Sequence, residues 1–184
     1  MNMKKKLFGA AALVAVAGAC LAAGCRSTYD RRDPTGETFP SVEGSALDGR
    51  AVKMPDAFAG SLVVLLIGYQ QNTQFDLDRW AMGMRQAGVK VAAVEVPTIP
   101  GLVPGAFSGY IDDGMRRGIP KEDWGGVVTV YGDGDLIARF TGNADGLPGR
   151  IVLLDKDGRV AFFHDRGFSP GTLDRLAAAV GALR

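Results

Sequence analysis

Very few side chains in this 184-residue chain are of types that do covalent or metal chemistry: two cysteines, Cys20 and Cys25, and one histidine, His164. Both cysteines lie in the first 25 residues. A thiolate is the nucleophile in disulfide exchange and thiol peroxidation, so a mature chain that has lost Cys20 and has Cys25 blocked runs neither reaction and forms no disulfide. A metal centre built around one histidine needs carboxylates. Asp133 with Asp135, and Asp155 with Asp157, lack the length and spacing of a helix-loop-helix calcium site, and Asp157-Gly158 is explained by a turn. A Ser-His-Asp triad would rest on His164 alone, which follows a strand end beside Asp165 and Arg166, where a surface or ion-pairing role is the simpler reading. No Gly-x-x-x-x-Gly-Lys phosphate loop occurs. These observations predict no catalytic residue, no metal and no cofactor.

What remains is a cluster of amides and hydroxyls, Gln70-Gln71-Asn72-Thr73-Gln74, between an apolar run (residues 62–67) and a segment of helical periodicity opening near Phe75. A buried strand that feeds a short loop and then a helix N-terminus is where α/β folds place ligands, because the strand end opens a crevice and the helix start offers unpaired N–H donors. Gln70, Gln71, Asn72 and Thr73 are therefore candidates for binding a peptide or small polar ligand, since amides both donate and accept. The plainer alternative is that they cap the helix, with Thr73 or Asn72 as N-cap. Trp124 and Tyr131 flank a later strand and are either core or partner-facing.

The elements that must position this cluster are legible. Residues 1–24 have a basic start (Lys4 to Lys6), a short apolar stretch and small residues up to Cys25, as in an export signal. The stretch Leu21-Ala22-Ala23-Gly24-Cys25 resembles a bacterial lipoprotein signal, which implies cleavage before Cys25 and lipid attachment to it. Cys20 is the competing position, but Gly24 before and Arg26-Ser27-Thr28 after make the cleaner boundary. An uncleaved span is disfavoured, because crossing a bilayer takes about 20 apolar residues. Loss of the three lysines turns the formal charge of +1 into a balance near −2, and no basic face points to nucleic acid. Residues 25–38 are polar and aperiodic and read as a lipid-anchored flexible tether. The expected setting is extracytoplasmic, with the chain lipid-anchored to a bacterial membrane. Arg26, unlike the aspartate that signals inner-membrane retention in enteric bacteria, favours the outer membrane facing the periplasm.

Residues 39–184 read as one domain. Asp48-Gly49 marks a tight hairpin; Leu77, Trp80 and Met84 give a helix stripe that Gly88 closes; residues 89–96 form a strand ended by Pro97. A loop (residues 100–105), a helix (107–117) and a strand (127–131) follow. Leu136 to Phe140 is ambiguous. Ile151 to Leu154 and Val160 to Phe163 form an antiparallel hairpin through Asp155-Lys156-Asp157-Gly158, and a last helix starts at Ser169 with Pro170 in its first position.

This order resembles the thioredoxin-like superfamily. The entry Leu47-Asp48-Gly49-Arg50, the strand-loop-helix of residues 62–80, and Pro148 ahead of Ile151-Val152-Leu153-Leu154 with its Asp-x-x-Gly hairpin carry the resemblance. It implies an α/β fold with a central mixed β-sheet flanked by helices, and Pro148 joins the candidate binding residues. Two departures stand out. The cysteine motif is absent from Gln70 to Gln74, and Pro148 sits slightly further from the strand than the pattern has it, which leaves its cis geometry open. Within the superfamily, Ile119-Pro120-Lys121-Glu122-Asp123-Trp124-Gly125, with Leu153-Leu154-Asp155 and Arg159-Val160, resembles a mitochondrial assembly-factor family for the membrane sector of ATP synthase. That likeness implies a binding or chaperone role beside a membrane protein complex. Trp124, as a partner-facing aromatic, is a further candidate binding residue. The leading expectation is a membrane-anchored, redox-inactive binding or assembly module. The alternatives are a cysteine-independent enzyme or degenerate peroxiredoxin-like protein using the same crevice, and an inert structural lipoprotein of the envelope.

Overall fold

A computed structural model describes residues 28–99 and 105–184. The expected signal segment, the lipid site Cys25 and the loop around Pro100 to Pro104 lie outside the described residues. Among the described residues, seven strands and four α-helices follow in order: β1 (Val42–Ala46), β2 (Ala51–Met54), β3 (Val63–Gly68), α1 (Gln74–Gln86), β4 (Ala92–Pro97), α2 (Gly105–Gly118), β5 (Val128–Thr129), α3 (Gly134–Thr141), β6 (Arg150–Leu154), β7 (Val160–His164) and α4 (Pro170–Ala182).

The strands lie in the orders β2-β1-β5 and β4-β3-β6-β7. Parallel bridges Glu95 to Val127 and Thr98 to Val130 join the two sets across β4 and β5. β3 is parallel to β4 on one side and antiparallel to β6 on the other, with Val63 opposite Leu154 and Ile67 opposite Arg150. This is the mixed sheet expected. β3 lacks polar alternation because both of its faces are covered. Val63, Leu65 and Ile67 pack with Phe39, Met54, Ile137 and Phe140 on one side. Val64 and Leu66 pack with Leu77, Trp80, Met84, Leu173 and Leu176 on the other. Each such apolar side chain contributes about 1.5–3 kcal/mol on burial, so this strand is fixed in register: a one-residue slip would exchange the two faces.

The Leu77-Trp80-Met84 stripe of α1 is buried as its spacing requires. Gly83 lets the helix approach the chain beyond β7, since a Cβ there would lie 2.8 Å from Phe168 Cε2. Ser169 caps α4, its hydroxyl accepting the Thr172 N–H at 3.2 Å, with Pro170 next. The ambiguous segment is the helix α3. It buries Ile137, Ala138 and Phe140 while Leu136 faces out, and eight residues are too few for periodicity to declare this.

The polar stretch read as a tether is laid onto the domain from Tyr29 onward. The Tyr29 carbonyl accepts from the N–H groups of Asn143 and Ala144, and its own N–H donates to Asn143 Oδ1 at 2.7 Å. Arg31 pairs with the buried Asp165 at 2.9 Å. Residues 36–39 run antiparallel to the start of β7, with backbone hydrogen bonds from Gly36 N–H to Val160 O, Val160 N–H to Glu37 O and Phe39 N–H to Gly158 O. The ordered unit thus begins before residue 39. Composition misses this because backbone pairing does not depend on side-chain polarity.

Candidate functional site

β3 ends at Gly68, whose missing side chain leaves room for Thr73: a Cβ there would stand 3.4 Å from Thr73 Cγ2. Tyr69 turns inward. Gln71–Thr73 form a single 3-10 turn that runs straight into α1. Neither Asn72 nor Thr73 caps the helix through its side chain. Thr73 is buried instead, and its hydroxyl donates to the Gly146 carbonyl at 3.3 Å. Gln70 also approaches Gly146, whose Cβ, if present, would lie 2.8 Å from Gln70 Nε2. The loop is therefore held from across the chain by residues 142–149, and Gln71 and Asn72 are left exposed.

The loop separates two hollows. On the α2 side a crevice of about 700 Å³ is lined by Tyr69, Gln70, Gln71, Thr73, Thr98 and Tyr110 among others. On the other side a hollow of about 410 Å³ is formed by Asn72, Phe75, Arg79, Leu147, Pro148 and Gly167 with Asp76. Pro148 and Asn72 thus share one hollow. The Leu147–Pro148 bond is not cis; the cis peptide among the described residues is Met54–Pro55. Gly149 lies against α1: a Cβ there would stand 2.3 Å from Leu77 Cδ2, and its N–H donates to Asp76 Oδ2 at 3.0 Å. Trp124 is not brought to the loop. It lies by the β1–β2 turn, its indole N–H donating to the Ile119 carbonyl at 3.0 Å and its ring under Arg116 at 5.7 Å, while Arg116 Nε donates to the Leu47 carbonyl.

Four side chains that local patterning did not single out shape this end of the fold. Asp76 reads in sequence as a helix-start acid, but it is buried, and besides Gly149 it accepts the Phe168 N–H at 2.8 Å and pairs with Arg79 at 3.2 Å. Arg150 opens the apolar strand β6 and is 2% exposed. Its guanidinium donates to the carbonyls of Gly142 (3.0 and 2.8 Å), Pro148 (2.6 Å) and Asp145 (2.7 Å), and stacks on Tyr69 at 5.2 Å. Burial pulls its pKa down from the usual arginine value, which the nearby Tyr69 and Asp165 partly offset. Tyr69 is buried with its hydroxyl 2.6 Å from Thr141 Oγ1, and burial pushes its pKa far up. A lone cation heading an all-apolar strand next to a Gly-rich stretch was the available signal for Arg150.

Glu95 is the fourth. It sits in β4 on the wall of a cleft of about 880 Å³ between α1 and α2, with Gln71, Gln74, Asp78 and Asp123 also lining it. Gln74 Nε2 donates to Asp78 at 2.9 Å and to Glu95 at 3.3 Å. Burial raises the Glu95 pKa, Gln74 opposes the shift, and Asp78 and Asp123 add to it. His164 is half-buried, with Nε2 2.8 Å from the Gly167 carbonyl and its ring 5.7 Å from Trp80. Tyr131 ties β5 to α2 by donating to Asp112 at 2.7 Å. Among the described residues no cluster of three or more His, Cys, Asp or Glu could hold a metal ion, and no helix is long and apolar enough to cross a membrane.

No protein-family model matches the sequence, and a search of curated proteins finds no match. Solved structures do match. A thiol peroxidase from Chromobacterium violaceum shares 11% identity over 86% of this chain and 93% of its own, with a TM-score of 0.56. The exposed lipoprotein thioredoxin of Streptococcus pneumoniae shares 14% over 76% and 98%, at 0.51. A SCO1/SenC family lipoprotein from Bacillus anthracis shares 14% over 84% and 99%, at 0.52. At these identities the likeness concerns the fold, which is thioredoxin-like.

Proposed function

We propose that this thioredoxin-like chain is a redox-inactive binding or assembly module, exported and lipid-anchored through Cys25 on the extracytoplasmic side of a bacterial membrane. One observation carries the reading. The strand-loop-helix that opens the crevice presents Gln70, Gln71 and Thr73 to about 700 Å³ of space, and no cysteine follows Cys25 anywhere in the sequence. Amides and a hydroxyl donate and accept hydrogen bonds but form no disulfide and activate no peroxide. Two of the structural neighbours are lipoproteins by name, which supports an envelope setting, and the lipoprotein-like signal ending at Cys25 agrees with it. The segment resembling an ATP synthase assembly family supports a membrane complex as the partner class.

The test is photo-crosslinking in intact cells with the reactive group at the exposed Tyr110, which lines the same crevice from α2, followed by recovery of the full-length protein. The expected result is one discrete membrane complex, lost when Gln70, Gln71 and Asn72 are all changed to Ala. Recovery that is unchanged by the triple substitution would remove the crevice from the reading. Disulfide reductase or thiol peroxidase activity in the chain would end it outright.

A further inference from the structure

The chain outside the described residues is short where it matters. Cys25 and Tyr29 are four residues apart, and a fully extended chain spans no more than about 14 Å over that distance. A folded unit of this size has a radius of gyration of about 15 Å and is correspondingly some tens of ångströms across. An anchor at Cys25 therefore holds whichever end of the domain carries Tyr29 close to the bilayer.

That end is fixed by the register. Ile67 faces Arg150 and Val63 faces Leu154, so the loop of residues 142–149 lies with the Gln70 loop at the C-terminal end of β3. The Asp155 to Gly158 turn lies at the opposite end, roughly 15 Å or more away along β6. Tyr29 is bonded to Asn143 and Ala144, and Arg139 stacks on its ring at 5.3 Å. The site end is thus the anchored end.

We propose that this end is the membrane-facing surface of the protein, and that phospholipid headgroups are what its exposed side chains meet. Phe75 and Leu147 are 72% and 50% exposed and line the same hollow. Isolated apolar tips of this kind enter the interfacial region of a bilayer, while guanidinium groups pair with phosphate. The exposed Arg31, Arg79, Arg139 and Arg166 belong to this end, through Asp165, Asp76, Tyr29 and Asp165 again. Asp76 and Asp165 are buried beneath them; Asp30 and Asp145 are exposed nearby. The seat thus depends on the anchor, the two apolar tips and individual arginine–phosphate pairs rather than on net charge. It also turns the mouth of the crevice toward the membrane, which suits a partner segment that emerges from the bilayer. This inference rests on the lipid anchor of the proposed function and adds an orientation to it.

Because no cysteine follows Cys25 and acylation occupies its sulfur, Leu147→Cys and Lys156→Cys each give one reactive thiol on an exposed position. Each full-length acylated variant is labelled with bimane and reconstituted in phosphatidylethanolamine–phosphatidylglycerol vesicles carrying a headgroup nitroxide lipid. Quenching should be severalfold stronger for the label at position 147 than for the one at 156. Equal quenching, or stronger quenching at 156, overturns the orientation. The mass of the N-terminal peptide is read on the same samples: a chain with no lipid on Cys25 overturns the anchor and the orientation together, whereas a lipidated chain with equal quenching overturns the orientation alone.

Discussion

Changing Arg150 to Met should destabilise the domain and loosen the loop that braces the candidate site. The guanidinium makes four hydrogen bonds to three carbonyls, two of them to Gly142 O in a buried setting. A buried carbonyl left without a donor costs about 1–3 kcal/mol. The carbonyls of Asp145 and Pro148 are only partly buried and can turn to water, so they add less. Lost stacking on Tyr69 adds about 0.5–2 kcal/mol. In the opposite direction, methionine no longer keeps a charge out of water, the effect that lowers the arginine pKa. The balance is a loss of about 2–3 kcal/mol, which for a unit of this size lowers Tm by roughly 4–12 °C. Urea denaturation with a thermal melt measures it. Arg150→Lys should recover little, because a single ammonium cannot reach three carbonyls set around a planar fork. A loss below about 1 kcal/mol for the Met variant, or wild-type stability for the Lys variant, would refute the argument that these carbonyls depend on the fork.

Asp76→Asn should cost about 2–4 kcal/mol in the same denaturation assay, since each carboxylate oxygen accepts a backbone N–H, from Gly149 and Phe168, and an amide can present only one acceptor. Gly142→Ala places a Cβ 2.5 Å from the Asp30 carbonyl on a backbone of φ +71°; the N-terminal segment should lift, and limited trypsin digestion should then cut at Arg31 or Arg32 far faster than in wild type. Glu95→Gln should change the pH dependence of stability. Because burial, Asp78 and Asp123 raise the Glu95 pKa in the folded state, the folded chain binds more protons than the unfolded one above the ordinary glutamate range. Wild-type stability therefore falls as pH rises from about 4.5 through the raised pKa. The Gln variant should lack that decline and be the more stable of the two at neutral pH, as denaturation at a series of pH values reports.

The regular elements were largely legible because they are set by residues close together in the chain. β3 shows as an unbroken apolar run since both of its faces are buried; Asp48-Gly49 and Asp157-Gly158 mark turns that need positive φ, found at Gly49 (93°) and Gly158 (76°). Ser169-Pro170 marks a helix start through one hydrogen bond three residues long in sequence. The loop of Gln70 to Thr73 was recognisable by its place between strand and helix. Its internal arrangement was not: Thr73 looks like a cap but serves a carbonyl 73 residues away.

The sequence by itself determined the sheet and helix pattern, the candidate loop and the absence of any thiol beyond Cys25, all of which depend on residue type and short-range spacing. Only the tertiary structure decided that Asp76 braces Gly149 and Phe168, that Arg150 gathers the carbonyls of the 142–148 loop, and that Tyr29 and Arg31 fix the polar N-terminal stretch to the domain. Those contacts join residues 73, 92 and 114 positions apart in the cases of Asp76 with Gly149, Asp76 with Phe168 and Tyr29 with Asn143. A hydrophobic period averages burial along one element, whereas whether a charged or polar group leaves water depends on partners that only the folded chain brings within hydrogen-bonding distance.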